Sequence, residues 1–338
     1  MTNELTPQPA LRSPRASRPR LRMRNTAVQQ AWLVRRLTPR DRWLMHMLYE
    51  HKVLTTNQII DLAFPSRRSA NLRLRLLDEW GIVYRFQPHR EFGSHPMHYV
   101  LDTPGATILA YEAGITPRNM PYSRRDVARH AYSLQLAHDV ACNGLFTSLV
   151  RHARQPRTTG QLTTWWSASH CKRLWGDIVK PDGYARWSHD GREFDWFMEF
   201  DFGTEPRSRI LDKVDRYTKL ATNTGLTTPV LLWFPTPDRE SSVRYTLQEL
   251  HNELSQPNRV PIATTNSYTA EDSLDMSTAR WLPVGPGLTP DRVPFTELTT
   301  LWPDIPEPEP LDDHEDSYLT APSPMPPPDL EYRKPTAA

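Results

Sequence analysis

Cysteine is nearly missing from this chain of 338 residues. The two that occur, Cys142 and Cys171, form neither a CxxC pair nor another spacing that suits a tetrahedral metal. A structural zinc site and a disulfide scaffold are therefore not expected, and a reducing cytosol is the natural compartment, so the chain reads as cytoplasmic. Long apolar runs are missing as well. The stretch from Pro229 to Phe234 is typical of the longest, against the ~20 residues a spanning helix needs. No apolar core follows the basic N-terminus, as one would in a secretory signal. A membrane is not an expected partner. No GxxxxGK[ST] loop occurs, which removes an ATP-driven helicase or partition motor. Glycine is scarce: thirteen residues stand against thirty-three prolines, many of them in the two tails. Those tails lack apolar periodicity and read as disordered.

What is present is polarised charge. The formal net charge of +2 conceals a basic start, with Arg12, Arg15, Arg18, Arg20, Arg22, Arg24, Arg35, Arg36 and Arg40 against Glu4 alone. The far end carries Glu307, Glu309, Asp312, Asp313, Glu315 and Asp316. A basic arm neutralises phosphates and releases counterions, so the asymmetry points to nucleic acid; a solvated tail is the bland alternative. The chain divides into a disordered basic arm (1–37), a helical module (38–115), an α/β domain (124–255), an irregular extension (256–302) and a disordered Pro-rich acidic tail (303–338). The fold class expected is mixed α+β and α/β.

In the module, Thr38-Pro39-Arg40-Asp41 opens a helix, with Thr38 as N-cap and Asp41 near the positive end of the dipole. Thr55 caps a second helix, which Ala63-Phe64-Pro65 breaks. Ser66 starts a third, SRRSANLRLRLLDEW, closed by Gly81. Ala70, Leu74 and Leu77 share one face of it; Arg67, Arg68, Asn71 and Arg75 lie largely on another. Two strands follow, Ile82–Phe86 and His98–Leu101, joined by a polar connection from Gln87 to Pro96. Three short helices and a hairpin in this order resemble a winged helix-turn-helix. In that pattern the third helix enters the major groove, where Arg67, Arg68, Asn71 and Arg75 would read double-stranded DNA. The alternative is a helical adaptor whose arginines form a solvated face. His95-Pro96-Met97-His98-Tyr99 offers two histidines and a tyrosine, but packing of the wing strand accounts for them better than a relaxase site.

A long helix is expected from Arg124 to Arg154, carrying His130, His138 and Asp139. Strands are expected at Gln161–Ser167, Gly183–Trp187 and Glu193–Asp201, then a helix from Glu205 to about Ala221, the strand Pro229–Phe234 and a helix from Arg239 to Leu254. Asp182, Glu199 and Asp201 thus fall at the ends of two neighbouring strands. Carboxylates clustered in this way suit a hard cation such as Mg²⁺, which would hold a scissile phosphate and activate water. Alternation along a strand puts Glu199 and Asp201 on one face. Equally, Asp201 or Thr204 would cap the following helix, and Lys213 and Tyr217 form an ordinary i,i+4 pair.

The order of elements over 124–235 resembles the restriction-endonuclease-like αβββαβ core of the PD-(D/E)xK nucleases. Pro181-Asp182 matches the first signature of that superfamily; Glu199-Phe200-Asp201 matches the second in part, because Asp201 stands where lysine is expected. The resemblance implies Asp182 and Glu199 as Mg²⁺ ligands, Asp201 as an additional ligand, and Lys213 as a migrated lysine that orients water or stabilises developing phosphorane charge. Over about 38–255 the segments LDEWGIV, HAYSLQLAHDV, KPDGY and FMEFDFGTEP are together similar to the replication-relaxation family of plasmids and integrative elements. That resemblance implies a DNA-binding protein acting in replication or relaxation of plasmid DNA. Its partners would be double-stranded DNA, a second copy of the chain, and replication or transfer proteins. Two functions stay open: a Mg²⁺-dependent nickase using Asp182, Glu199, Asp201 and Lys213, and a non-enzymatic transcriptional or copy-number regulator with a degenerate nuclease-like domain.

Overall fold

The computed structural model describes residues 12–14, 25–89, 94–131, 133, 135–156, 158, 160–203, 206–225, 227–253, 260–267, 280–285, 287–303, 305–309 and 319–327. The chain enters as a short strand β1 (Arg12–Pro14) and a helix α1 (Ala27–Val34), whose cap Thr26 accepts from the Gln29 amide. Both fall within the stretch whose composition reads as a disordered arm. Helix α1 is held by burial that composition does not show: Leu33 is fully buried and Trp32 meets Trp80 edge-on at 5.5 Å. Arg15, Arg18, Arg20, Arg22 and Arg24 lie outside the described residues.

The next three helices form where their caps predict. Thr38 and Asp41 make a reciprocal capping box on α2 (Pro39–His51), each satisfying an amide the helix leaves open. After β2 (Leu54–Thr55), Thr55 and Gln58 do the same for α3 (Thr56–Ala63). Ser66 caps α4 (Arg67–Glu79). That helix ends with the Gly81 amide on the Asp78 carbonyl and the Ile82 amide on the Leu77 carbonyl, and Gly81 takes the left-handed φ of 73° this closure needs. Strands β3 (Val83–Phe86) and β5 (His98–Leu101) pair antiparallel, and β2 adds to the far side of β5, giving the order β2-β5-β3. Between them β4 (Pro88–His89) pairs with β1. This order is compatible with a winged helix, whose wing tip, residues 90–93, lies outside the described residues. His98 and Tyr99 are both buried in the packing of this small sheet.

Helix α5 (Thr103–Glu112) leads to the first departure in the second half. The single helix expected from Arg124 to Arg154 is two, α6 (Arg124–Ala131) and α7 (Gln135–Ala153). At the break Ser133 turns its amide (3.0 Å) and its hydroxyl (2.8 Å) onto the His130 carbonyl, a local bond that competes with helix continuation.

Strands β6 (Gln161–Ser167), β7 (Gly183–His189) and β8 (Arg192–Phe200) form an antiparallel meander. A helix the sequence analysis missed, α8 (Ala168–Trp175), lies between β6 and β7. Helix α9 (Arg207–Thr224) carries the chain to β9 (Val230–Phe234), which pairs parallel to β8, as a helical crossover requires. Helix α10 (Pro237–Glu253) repeats the step to β10 (Ile262–Asn266), and β11 (Leu282–Val284) closes the edge antiparallel. The sheet order is β11-β10-β9-β8-β7-β6. The segment expected to be irregular therefore supplies two strands and the fully buried Trp281. The exposed edge of β9 would leave its amides and carbonyls unpaired, and β10 satisfies them. Part of the tail also docks, with Leu319 buried and Trp43 Nε1 donating to the Ser323 carbonyl at 2.7 Å. Asp312, Asp313, Glu315 and Asp316 lie outside the described residues.

The helical module shares a core with the α/β domain. One apolar cluster runs from Leu33 through Leu74 and Phe146 to Trp302. His51, at the end of α2, stacks on Trp165 of β6 at 3.6 Å. Glu50 accepts from the Ser167 amide at 2.9 Å and faces His170 at 3.5 Å. Asn143 on α7 donates to the carbonyls of His51 (3.2 Å) and Val53 (2.7 Å). Replacing Asn143 by Ala removes both bonds, leaving the Val53 carbonyl without this donor and the His51 carbonyl with the Val53 amide at 2.7 Å, so the Asn143→Ala variant should lose about 1–3 kcal/mol of stability, read as a lowered urea midpoint. An unchanged midpoint would show that the joint does not depend on this side chain.

Candidate functional site

Helix α4 sorts its side chains sharply. Ala70, Leu74 and Leu77 are fully buried, because three- and four-residue spacing aligns them toward the core. Arg73 on the flank pairs with the buried Asp41 of α2, which sets how α4 rolls against its neighbour. Arg67, Arg68, Asn71 and Arg75 are left exposed. Arg67 donates to Asn57 Oδ1 at 2.8 Å, and Arg75 makes only a loose exposed pair with Glu79 at 3.7 Å. The four residues singled out from the sequence therefore share one solvent-facing side of one helix. Leu72 and Leu76 stand exposed beside them.

In the α/β domain, the carboxylates expected to share a cation are each engaged elsewhere. Asp182, just before β7, accepts from the Phe200 amide at 2.8 Å and faces His138 Nε2 of α7 at 3.2 Å. Glu199 on β8 is buried; its two oxygens take Lys213 Nζ at 2.8 Å and the Tyr217 hydroxyl at 2.5 Å, both from α9. Asp201 accepts from the Gly203 amide at 2.7 Å and from Arg239 Nε of α10 at 2.6 Å. It closes its own turn rather than α9, whose first turn has Pro206 at the N-cap and no side-chain cap. Thr204 and Glu205 lie outside the described residues. Among the described residues no three His, Cys, Asp or Glu side chains stand close enough together to hold a metal ion. As placed, the donor set does not fit a Mg²⁺ ion bound by Asp182, Glu199 and Asp201, since cationic and phenolic partners already occupy two of the three.

His138, Tyr217 and Arg239 are the partners the sequence did not assign. Two of them left a signal: His138 as a polar residue on the helix preceding the meander, and Tyr217 as the i,i+4 neighbour of Lys213. Asp139 beside it faces His130 Nε2 at 3.1 Å across the α6–α7 break. Burial works against a charge on His138, but Asp182 and Asp139 outweigh it and raise the imidazole to about 10. Asp139 is held well below the usual carboxylate range by the two histidines, against its own burial.

Glu199 behaves in the opposite sense. Burial dominates and pushes it up to about 7, with Asp182 adding to the rise and Lys213 and Tyr217 restraining it. Tyr217 is itself raised well above the ordinary phenol value by burial and by Glu199. Lys213 and Tyr217 stand one helical turn apart, so both reach the same carboxylate. Above this pair opens a cleft of about 330 Å³, whose rim carries Lys180, Arg209, Lys213 and Arg216 against Asp212, with Glu199 and Tyr217 in its wall.

A carboxylate raised on folding holds its proton more tightly when native, so its contribution to stability falls as pH rises from about 4.5 to about 7. The Glu199→Gln variant has no such titration. Thermal midpoints of the two proteins across that window should therefore shift in favour of the variant as pH rises. A pH-independent difference would mean that Glu199 is ionised throughout.

The profile of the replication-relaxation family matches residues 45–236. No curated protein and no solved structure matches the chain. Among the described residues no helix is long and apolar enough to cross a membrane. The family match runs from within α2 to the turn after β9 and so takes in α4, the α6–α7 pair, the antiparallel meander and the cleft. Covering more than half of the chain, it shows that this protein belongs to the replication-relaxation family.

Proposed function

We propose that the chain is a double-stranded-DNA-binding protein of a plasmid or integrative element, acting in replication or relaxation of that element's DNA. The observation that carries this is α4. Its apolar face is locked into the core while Arg67, Arg68, Asn71 and Arg75 project together into solvent, the side-chain types that read base edges and grip phosphates in a major groove. The β2-β5-β3 sheet beside it supports a winged-helix docking mode, with the β3–β5 connection as wing. Family membership supports the replication role.

The element order of the α/β domain, with α8 inserted between β6 and β7, is compatible with a PD-(D/E)xK core, and Lys213 beside Glu199 is where a migrated lysine would stand. That favours a nuclease ancestry. The pairing of Asp201 with Arg239, and of Glu199 with Lys213 and Tyr217, favours carboxylates that hold the fold over carboxylates that hold Mg²⁺. The function supported best is binding, with the α/β domain gripping DNA rather than hydrolysing it. A non-enzymatic regulator of transcription or copy number falls within this reading.

Two measurements test it. In gel shifts on DNA from the cognate element, the combined Arg67→Ala, Arg68→Ala and Arg75→Ala variant should bind at least about tenfold more weakly, and its salt dependence should flatten by roughly one unit of slope for each phosphate no longer gripped. Binding equal to wild type would remove α4 from the interface. Supercoiled plasmid incubated with the wild type and Mg²⁺ or Mn²⁺ should stay supercoiled. Metal-dependent open circles that vanish with Glu199→Ala or EDTA would instead establish a nickase.

A further inference from the structure

Helix α9 carries a second basic surface that α4 does not explain. Arg209, Lys213 and Arg216 follow one another at i, i+4 and i+7, which aligns them along one side of the helix. Ile210, Val214, Tyr217 and Leu220 face the sheet instead and are buried. Lys180, from the loop before β7, approaches the same cleft from across it. Lys213 is held by Glu199 at 2.8 Å. Lys180, Arg209 and Arg216 are exposed, and none of the three forms an ion pair with another described residue.

Three exposed cations against one exposed acid, Asp212, leave the cleft with a net positive field that attracts an anion. Their spacing says which kind. Arg209 and Arg216 are seven residues apart, so their Cα atoms are separated by about 10 Å along the helix axis. Side chains at that spacing can each take a separate phosphate. A nucleic-acid strand carries one charge per ~3.4 Å of helix axis, hence about three phosphates over the same span. The cleft lies on the α/β domain, whereas Arg67, Arg68, Asn71 and Arg75 belong to the helical module.

We infer that the cleft bounded by Lys180, Arg209, Lys213 and Arg216 is a second nucleic-acid contact, taking the phosphodiester backbone of a strand through guanidinium and ammonium groups without a metal ion. This rests on the proposal that the chain binds DNA. Arginine suits the task because its planar fork meets a phosphate with two parallel hydrogen bonds. Lys213 stays on the buried Glu199, where loss of that partner would be costly, and adds its positive charge to the cleft. The module and the α/β domain share a core, so one chain would hold DNA at two places.

The test uses the full chain and a fluorescently labelled DNA duplex, with affinity measured by anisotropy over a range of salt. Arg209→Gln with Arg216→Gln is compared with Arg173→Gln plus Arg192→Gln, a control that removes the same charge from exposed positions outside the cleft. The cleft variant should bind at least about fivefold more weakly, with a salt slope smaller by about two, at roughly 0.9 per neutralised phosphate; the control should match wild type. The inference is overturned if cleft and control variants behave alike, or if neither differs from wild type. A free phosphate or nucleotide as the true ligand is the other way it fails. Inorganic phosphate or ATP would then bind the wild type saturably by calorimetry, binding would vanish in the cleft variant, and DNA affinity would not change. Weak binding caused by misfolding is recognised by a lowered thermal midpoint, and the single Arg216→Gln variant, at an exposed position midway along α9, then takes its place. The α4 triple variant runs in parallel. If it binds as wild type while the cleft variant does not, the α4 assignment fails and the cleft stands.

Discussion

A carboxylate buried at the end of a strand has to be neutralised or protonated, and that constraint at Glu199 organises much of the α/β domain. Lys213 supplies a counter-charge and Tyr217 a hydrogen bond from two positions on α9 one turn apart, which fixes both the roll of that helix and its height over β8. Once Tyr217 points into the sheet, the stripe at Arg209, Lys213 and Arg216 is turned toward the cleft mouth. Removing one partner from such a cluster costs far more than the pair contributes net, because the other charge remains desolvated. The same arrangement recurs at Asp201 with Arg239 and at Glu240 with Arg292 and Asn266, which tie α10 and the C-terminal strands to the sheet.

The second organising feature is α7. It packs against α3 of the helical module and against β6, and its Asn143 satisfies the frayed carbonyl end of α2. A basic recognition helix on a flexible tether would sample many orientations. Here the module shares a core with the α/β domain, so the exposed face of α4 and the α9 cleft hold a fixed relation. If both surfaces hold DNA as proposed, the two grips would constrain the path of the duplex between them, which one grip does not.

Residues of one type therefore play different parts in different places. The exposed arginines of α4 face solvent and are open to a partner, whereas Arg73, Arg239 and Arg292 spend their charges on buried acids and hold elements together. The acids divide in the same way. Asp182, Glu199 and Asp201 are neighbours in sequence pattern, yet each is drawn to a different helix: α7, α9 and α10.

Local chemistry was legible in the sequence wherever it is decided locally. The caps at Thr38, Thr55 and Ser66, the Gly81 closure, the exposed set on α4 and the meander-crossover order of strands all follow from residue type and periodicity, because one or two turns of chain settle them. Asp182, Glu199 and Lys213 were found by the same means. What the sequence by itself could not determine was partnership. Helix α1, strands β10 and β11 and the docked tail exist because distant surfaces cover them, and their own periodicity is weak. Whether three carboxylates hold a cation or three helices depends on which cations arrive across the sheet, and His138, Tyr217 and Arg239 come from segments far apart in the chain. Burial of charge is a property of the assembled core, so only the tertiary structure could decide it.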